Sequence, residues 1–167
     1  MRYIKFLSVV LFLGLLTACG IYSLSGASIP ADAKTMSVGY FRNRAPSVQA
    51  TLSSVFTDKL KDYLISQSNL TLIDGFADLQ FSGEIVGYSI NPTSIQSNDK
   101  AAMNRLTITV QVRYKNRFDD KSGFSQNFSR YRDYDANLSL ASVESGLIEE
   151  IVEELVEDIY QRAFVNW

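Results

Sequence analysis

The chain has 167 residues, 46% of them hydrophobic and 20% charged, with 16 Lys and Arg against 18 Asp and Glu. Three prolines and nine glycines exclude a collagen-like or disordered chain, and the length suits one domain with a substantial core. Histidine is absent and Cys19 is the single cysteine, which excludes His-dependent triads, zinc sites built on His or Cys, and intramolecular disulfides, so the composition points away from an enzyme.

Arg2 and Lys5 form a short basic head before the apolar run Phe6 to Leu16. Eleven helical residues cover roughly 16 Å, far less than the roughly 30 Å hydrocarbon core, so the run reads as a secretory signal and not as a membrane span. Leu16-Thr17-Ala18-Cys19 follows and resembles a bacterial lipobox, in which the cysteine thiol takes a diacylglycerol and the freed amine a third acyl chain. The competing reading is a cytosolic protein with a buried N-terminal helix and a chance cysteine. Several acyl chains anchor stably where one does so marginally. Gly20 in place of Asp after the cysteine matches the sorting pattern for the outer membrane. The expected organisation is a signal peptide over 1–18, a lipidated tether over 19–34 and a single domain over 35–167, with no cofactor beyond the covalent lipid. Fully extended, the Gly-, Ser- and Ala-rich tether spans roughly 50 Å. Removing residues 1–18 leaves 14 basic against 18 acidic residues, a net charge of −4 that argues against nucleic acid as a partner. The distribution is uneven: residues 100–132 carry a net +6, and residues 133–167 a net −8.

Thr35 to Phe41 is a strand candidate with Met36, Val38 and Tyr40 on one face. Asn43-Arg44-Ala45-Pro46 reads as a turn, and apolar positions from Val48 through Leu52, Phe56, Leu60 and Leu64 predict a helix over about 48–67. Leu70 to Asp74 is a second short strand. Asp78 to Ile90 alternates, but its phase slips from odd positions (Leu79, Phe81, Ile85) to even ones (Tyr88, Ile90), which predicts a β-bulge near Gly83 or Gly87. Asn91 to Ala102 reads as a polar hairpin loop. Asn104 to Phe118 is the clearest strand, with Leu106, Ile108, Val110, Val112 and Tyr114 facing one way. Asp119 to Gly123 turns the chain back into a strand over Phe124 to Tyr134. The final helix, about Ser142 to Phe164, runs in alternating apolar and acidic pairs from Leu147. A four-residue repeat drifts about 40° per step on a helix, so the apolar stripe winds and should meet the sheet diagonally or face two partners. The order β-α-β-β-β-β-α predicts an α+β fold, two helices on one face of a mixed four- to five-stranded sheet.

Arg113, Lys115 and Arg117, with Arg105 further back, lie on the polar side of one strand at steps of about 6.6 Å. Such a row can hold an anionic ligand with several phosphates, or it can be a solvated face that keeps the sheet soluble. Tyr114 and Phe118 read as core. Asp133, Asp135, Asn137 and Glu144 match four positions of a calcium loop, but Leu138 stands where that loop needs Gly, so a turn with Ser139 or Ser142 capping the helix is the better reading. The acidic pairs 149/150, 153/154 and 157/158 read as a solvated helix face, because adjacent helical carboxylates do not converge on one point.

Cys19-Gly20-Ile21-Tyr22-Ser23, Ser25 to Pro30, Val38 to Phe41, Phe81-x-Gly83-x-Ile85, Asn104 to Thr107, Phe128 to Tyr131 and the acidic final helix ending near Trp167 together resemble the lipopolysaccharide-assembly lipoprotein family LptE. The resemblance implies two helices against a mixed sheet and no catalysis. It also implies a lipid-anchored position at the outer membrane, inside the β-barrel translocon LptD, which such a protein helps assemble and plugs while lipopolysaccharide is inserted into the outer leaflet. Of individual residues it carries over the lipidated Cys19 alone; Arg105, Arg113, Lys115 and Arg117 rest on the charge pattern as candidate contacts to lipopolysaccharide or to the partner. The runner-up is an anchored periplasmic binding module, such as a wall-hydrolase inhibitor or a peptidoglycan-binding lipoprotein. A carboxylate-dependent glycosidase is a third reading, needing two acids across a groove.

Overall fold

The structure, a computed structural model, describes residues 29–47, 49–93 and 102–165. The signal segment, Cys19, the first part of the tether, Val48, the tip of the polar loop and Trp167 lie outside the described residues. Strand β1 (Thr35–Val38) runs parallel to both β3 (Thr71–Leu72) and β4 (Leu79–Pro92), and β2 (Arg42–Asn43) continues along β4. β4, β5 (Met103–Asn116) and β6 (Phe124–Asp135) form the expected antiparallel meander, with a short 3₁₀ turn at Asp120–Ser122. Helices α1 (Leu52–Gln67) and α2 (Leu140–Phe164) pack on the core side of this sheet, ordered β3-β1-β4-β5-β6 with β2 beside β4. The α+β architecture matches the sequence expectation; the two-residue β2 is the addition.

Two bulges set which residues reach the core. Val38 lies opposite Phe81 and Arg42 opposite Glu84, so four residues on one side span three on the other. The extra residue shifts the side-chain phase. Phe41, not Tyr40, therefore enters the core: Phe41 is fully buried with its ring edge-on to Phe56 at 4.9 Å, whereas Tyr40 is 60% exposed. The Phe41 N–H is held by the buried Thr57 hydroxyl at 3.1 Å. In β4 the register shifts between Ile85 and Gly87, which moves the inward set from Leu79, Phe81 and Ile85 to Tyr88. Of the two glycines offered for the bulge, Gly87 adjoins it. Gly83 serves another purpose, since Phe41 lies directly over its Cα.

Helix α1 begins at Leu52, where Gln49 Oε1 accepts from the Thr51 and Leu52 N–H groups. Helix α2 packs against β6 on one side and α1 on the other, so its winding stripe does face two partners. Ser139 occupies its N-cap position without a side-chain capping bond among the described residues, while Glu144 accepts from the Tyr88 hydroxyl. Phe118 departs from expectation: β5 ends at Asn116, and Phe118 is 45% exposed while Tyr114 is buried.

Candidate polar face and its charge network

The side of β4, β5 and β6 that faces away from the helices carries no covering element among the described residues. Alternation on β5 puts Arg105, Thr107, Thr109, Gln111, Arg113 and Lys115 there, opposite the buried Leu106 to Tyr114 set. Register adds Ser82 and Ser125 on either side of Arg113, and Gln80 beside Lys115. The middle of the face is built from small hydroxyls, with Thr109 and Ser129 joined at 2.9 Å.

The four candidate cations divide into two kinds. Arg105 forms a two-bond fork to Asp133, Nε and Nη2 donating at 2.7 and 2.8 Å, and its guanidinium lies 3.7 Å from the Tyr131 ring centroid. Arg117 lies 3.5 Å from Asp78. Arg113 and Lys115 are exposed and have no carboxylate partner among the described residues. The row is thus a pair of available charges between two engaged ones, not four equal contacts.

The acidic pairs also divide. Arg130 and Arg132 lie on the helix-facing side of β6, directly opposite Ile108 and Leu106 in register. Arg130 reaches Asp158 through two bonds at 2.6 Å, and Arg132 bridges Glu150 at 2.7 Å and Glu154 at 2.6 Å. The second acid of each pair is therefore tied to the sheet, which corrects the expectation of a wholly solvated acidic face. Glu149, Glu153 and Glu157 remain exposed, Glu153 lying 3.7 Å from Lys59. Part of the +6 and −8 segregation is resolved internally: Arg130 and Arg132 of the basic segment pair with Asp158, Glu150 and Glu154 of the acidic helix. The signal available in the sequence was the Arg130-x-Arg132 spacing opposite acids repeating every four residues. The calcium-loop set is dispersed likewise, with Asp133 on Arg105, Asp135 accepting from Asn137, and Glu144 on Tyr88.

These forks shift titration. The Arg132 hydrogen bond holds Glu154 below its ordinary 4.5, and the Arg105 bond holds Asp133 below 3.8. Depressed acids stabilise the fold above their unfolded values, and that contribution is lost as pH falls through their folded values. The Arg132→Gln variant should melt about 3 °C lower than the parent near neutral pH, and the two curves should merge at acid pH. Melting temperature against pH checks this, and a constant gap down to strongly acid pH would assign the loss to packing.

The comparisons fit this geometry. A family model for lipopolysaccharide assembly, LptE, matches residues 33–163, which is nearly all of the described fold. The chain belongs to the LptE family. No curated protein matches the sequence. Among solved structures, a minor lipoprotein from Acinetobacter baumannii shares 18% identity and covers 78% of this chain and 91% of its own at a TM-score of 0.51. A hypothetical protein from Chlamydia trachomatis gives 12%, 80%, 99% and 0.54, and the rare lipoprotein B from Shewanella oneidensis gives 16%, 77%, 92% and 0.46. At these identities the first two likenesses concern the fold. LptE membership supports a role in lipopolysaccharide assembly. No helix among the described residues is long and apolar enough to cross a membrane.

Proposed function

We propose that this chain is an outer-membrane lipoprotein, acylated at Cys19, that helps an LptD-type barrel assemble and then plugs it while lipopolysaccharide passes to the outer leaflet. The observation that carries the reading is the LptE match across the folded domain. Three further features support it. The body is a single core with aromatic packing and an ion-paired helix–sheet seam, stiff enough to occupy a lumen. Its helix-free sheet face is polar, as a surface lining an aqueous passage needs to be. Arg113 and Lys115 offer two cations on that face for phosphates or for acidic side chains of the barrel wall.

The test is the Arg113→Glu, Lys115→Glu double variant. Both side chains are exposed, so melting should change little, within about 0.5 kcal/mol per site. Charge-assisted contacts contribute roughly 1.5–3 kcal/mol each, so affinity for the group that meets this face should fall at least tenfold. Weakened lipopolysaccharide binding with normal barrel co-purification assigns the pair to the lipid; the reverse assigns it to the barrel wall. Full retention of both would leave it a solvated face. Co-purification through a C-terminal tag tests the wider reading: a large barrel partner supports it, and a soluble enzyme partner favours a periplasmic inhibitor.

A further inference from the structure

The end of the fold where the chain enters carries exposed aromatic rings. Lys34 and Thr35 are fastened there by Asp78, whose Oδ2 accepts from both backbone N–H groups at 3.1 Å and from the Thr35 hydroxyl at 2.9 Å. Ile29 packs on the core, and Pro30 shares a cleft of about 420 Å³ with Asn116, Ser122 and Ala163. Parallel pairing puts the starts of β1, β3 and β4 at this end, and antiparallel pairing adds the end of β5 and the turn into β6. Phe76, 76% exposed, projects from the β3–β4 turn, and Phe118, 45% exposed, follows β5. Arg117 immediately precedes Phe118, its N–H on the Asp78 carbonyl at 3.0 Å and its guanidinium 5.9 Å from the Phe76 ring centroid.

We propose that this rim, with Phe76 and Phe118 inserted, rests on the phospholipid leaflet that holds the Cys19 acyl chains. The inference rests on the lipid-anchored reading above. Ten residue steps lead from Cys19 to Ile29, so an acylated chain keeps the rim within about 35 Å of that leaflet. The far ends of β4 and β5 lie roughly 45 Å away along the strands. Aromatic rings flanked by Arg or Lys suit the headgroup region, where the rings bury and the cations stay wet. Charge is not the driving term: Lys34, Arg117, Lys121 and Arg162 at this end are outnumbered by Asp32, Asp74, Asp78, Asp119 and Asp120. Binding should accordingly depend weakly on salt.

The experiment uses the mature chain in vesicles of phosphatidylethanolamine and phosphatidylglycerol, with Trp167→Phe as background. Acylated Phe76→Trp and Phe118→Trp proteins should be quenched by lipids brominated near the carbonyl, and Leu138→Trp at the opposite end should not. In the unacylated Cys19→Ala chain, adding Phe76→Ser and Phe118→Ser should weaken vesicle sedimentation by about tenfold per ring without altering melting. Absence of quenching at both rim positions, equal quenching at Leu138→Trp, or unchanged sedimentation of the serine variant overturns the proposal. So does a photo-crosslinker at position 76 that captures the barrel and no lipid. Intact mass reports acylation separately: a bare Cys19 refutes the anchored reading, while the Cys19→Ala sedimentation still judges the rim.

Discussion

The Gly83→Ala variant should lose at least about 3 kcal/mol, because two neighbours occupy the space its methyl needs and one of them is backbone. A Cβ at this position would lie 2.0 Å from the Gln111 carbonyl oxygen and 2.6 Å from Phe41 Cε1. The Phe41 ring is wedged against Phe56, and the residue's backbone N–H is tied to the Thr57 hydroxyl, so it does not swing aside. The carbonyl belongs to the middle of β5, which is paired on both sides. Relief therefore requires β4 and β5 to part at the centre of the sheet. A fall in melting temperature of about 10 °C is expected, with loss of barrel co-purification as a consequence of unfolding. Gly146→Ala provides the contrast: nothing lies within 4 Å of its Cβ position, and helix propensity should raise stability by about 0.5–1 kcal/mol. Denaturant titration of both variants checks the pair. If Phe41→Leu restored Gly83→Ala fully, the ring rather than the carbonyl would be the constraint.

The same two residues show what was readable in the sequence. The phase slip along Asp78 to Ile90 was visible as a change from odd to even apolar positions, because each strand residue keeps its face unless a residue is added. The second bulge, between Val38 and Arg42, left no such mark. β2 is two residues long, too short for alternation, and only the register against β4 reveals the extra residue. Hence Tyr40 looked like core where Phe41 is. Likewise, β5 displayed its two faces plainly from Leu106 to Lys115, but its end did not: Phe118 continues the apolar phase of Tyr114 with one interruption, and only the loss of pairing after Asn116 releases it to the rim. The charge row was legible as a row. What divides it, Asp133 taking Arg105 and Asp78 lying near Arg117, comes from neighbouring strands and turns whose register one sequence does not fix. The acidic helix was read as solvated because helical periodicity identifies a face without naming what lies opposite.

Cys19→Ala, exported behind a leader that ordinary signal peptidase removes, should convert the protein from membrane-associated to largely soluble, the largest functional effect expected of any single substitution. On the proposed reading the variant removes the thiol that accepts diacylglycerol and the terminal amine that would take a third chain, while the exchanged leader is still cleaved off, so no apolar segment is left behind. Each buried methylene of an acyl chain adds about 0.8 kcal/mol, so one chain binds marginally and several bind almost irreversibly. Losing them all leaves only what Phe76 and Phe118 supply, a reversible attachment that washing should remove. The consequence for assembly follows from concentration. Anchoring confines the domain to a thin layer along the membrane that holds the barrel, which raises its local concentration there above that of a freely diffusing chain. Overproducing the soluble variant should therefore restore part of the barrel assembly that normal expression loses. Membrane fractionation, palmitate labelling and barrel maturation in a depleted strain read these outcomes together. Normal processing of the alanine variant with retained palmitate label would show that the acyl chains lie elsewhere and that Cys19 is not the anchor.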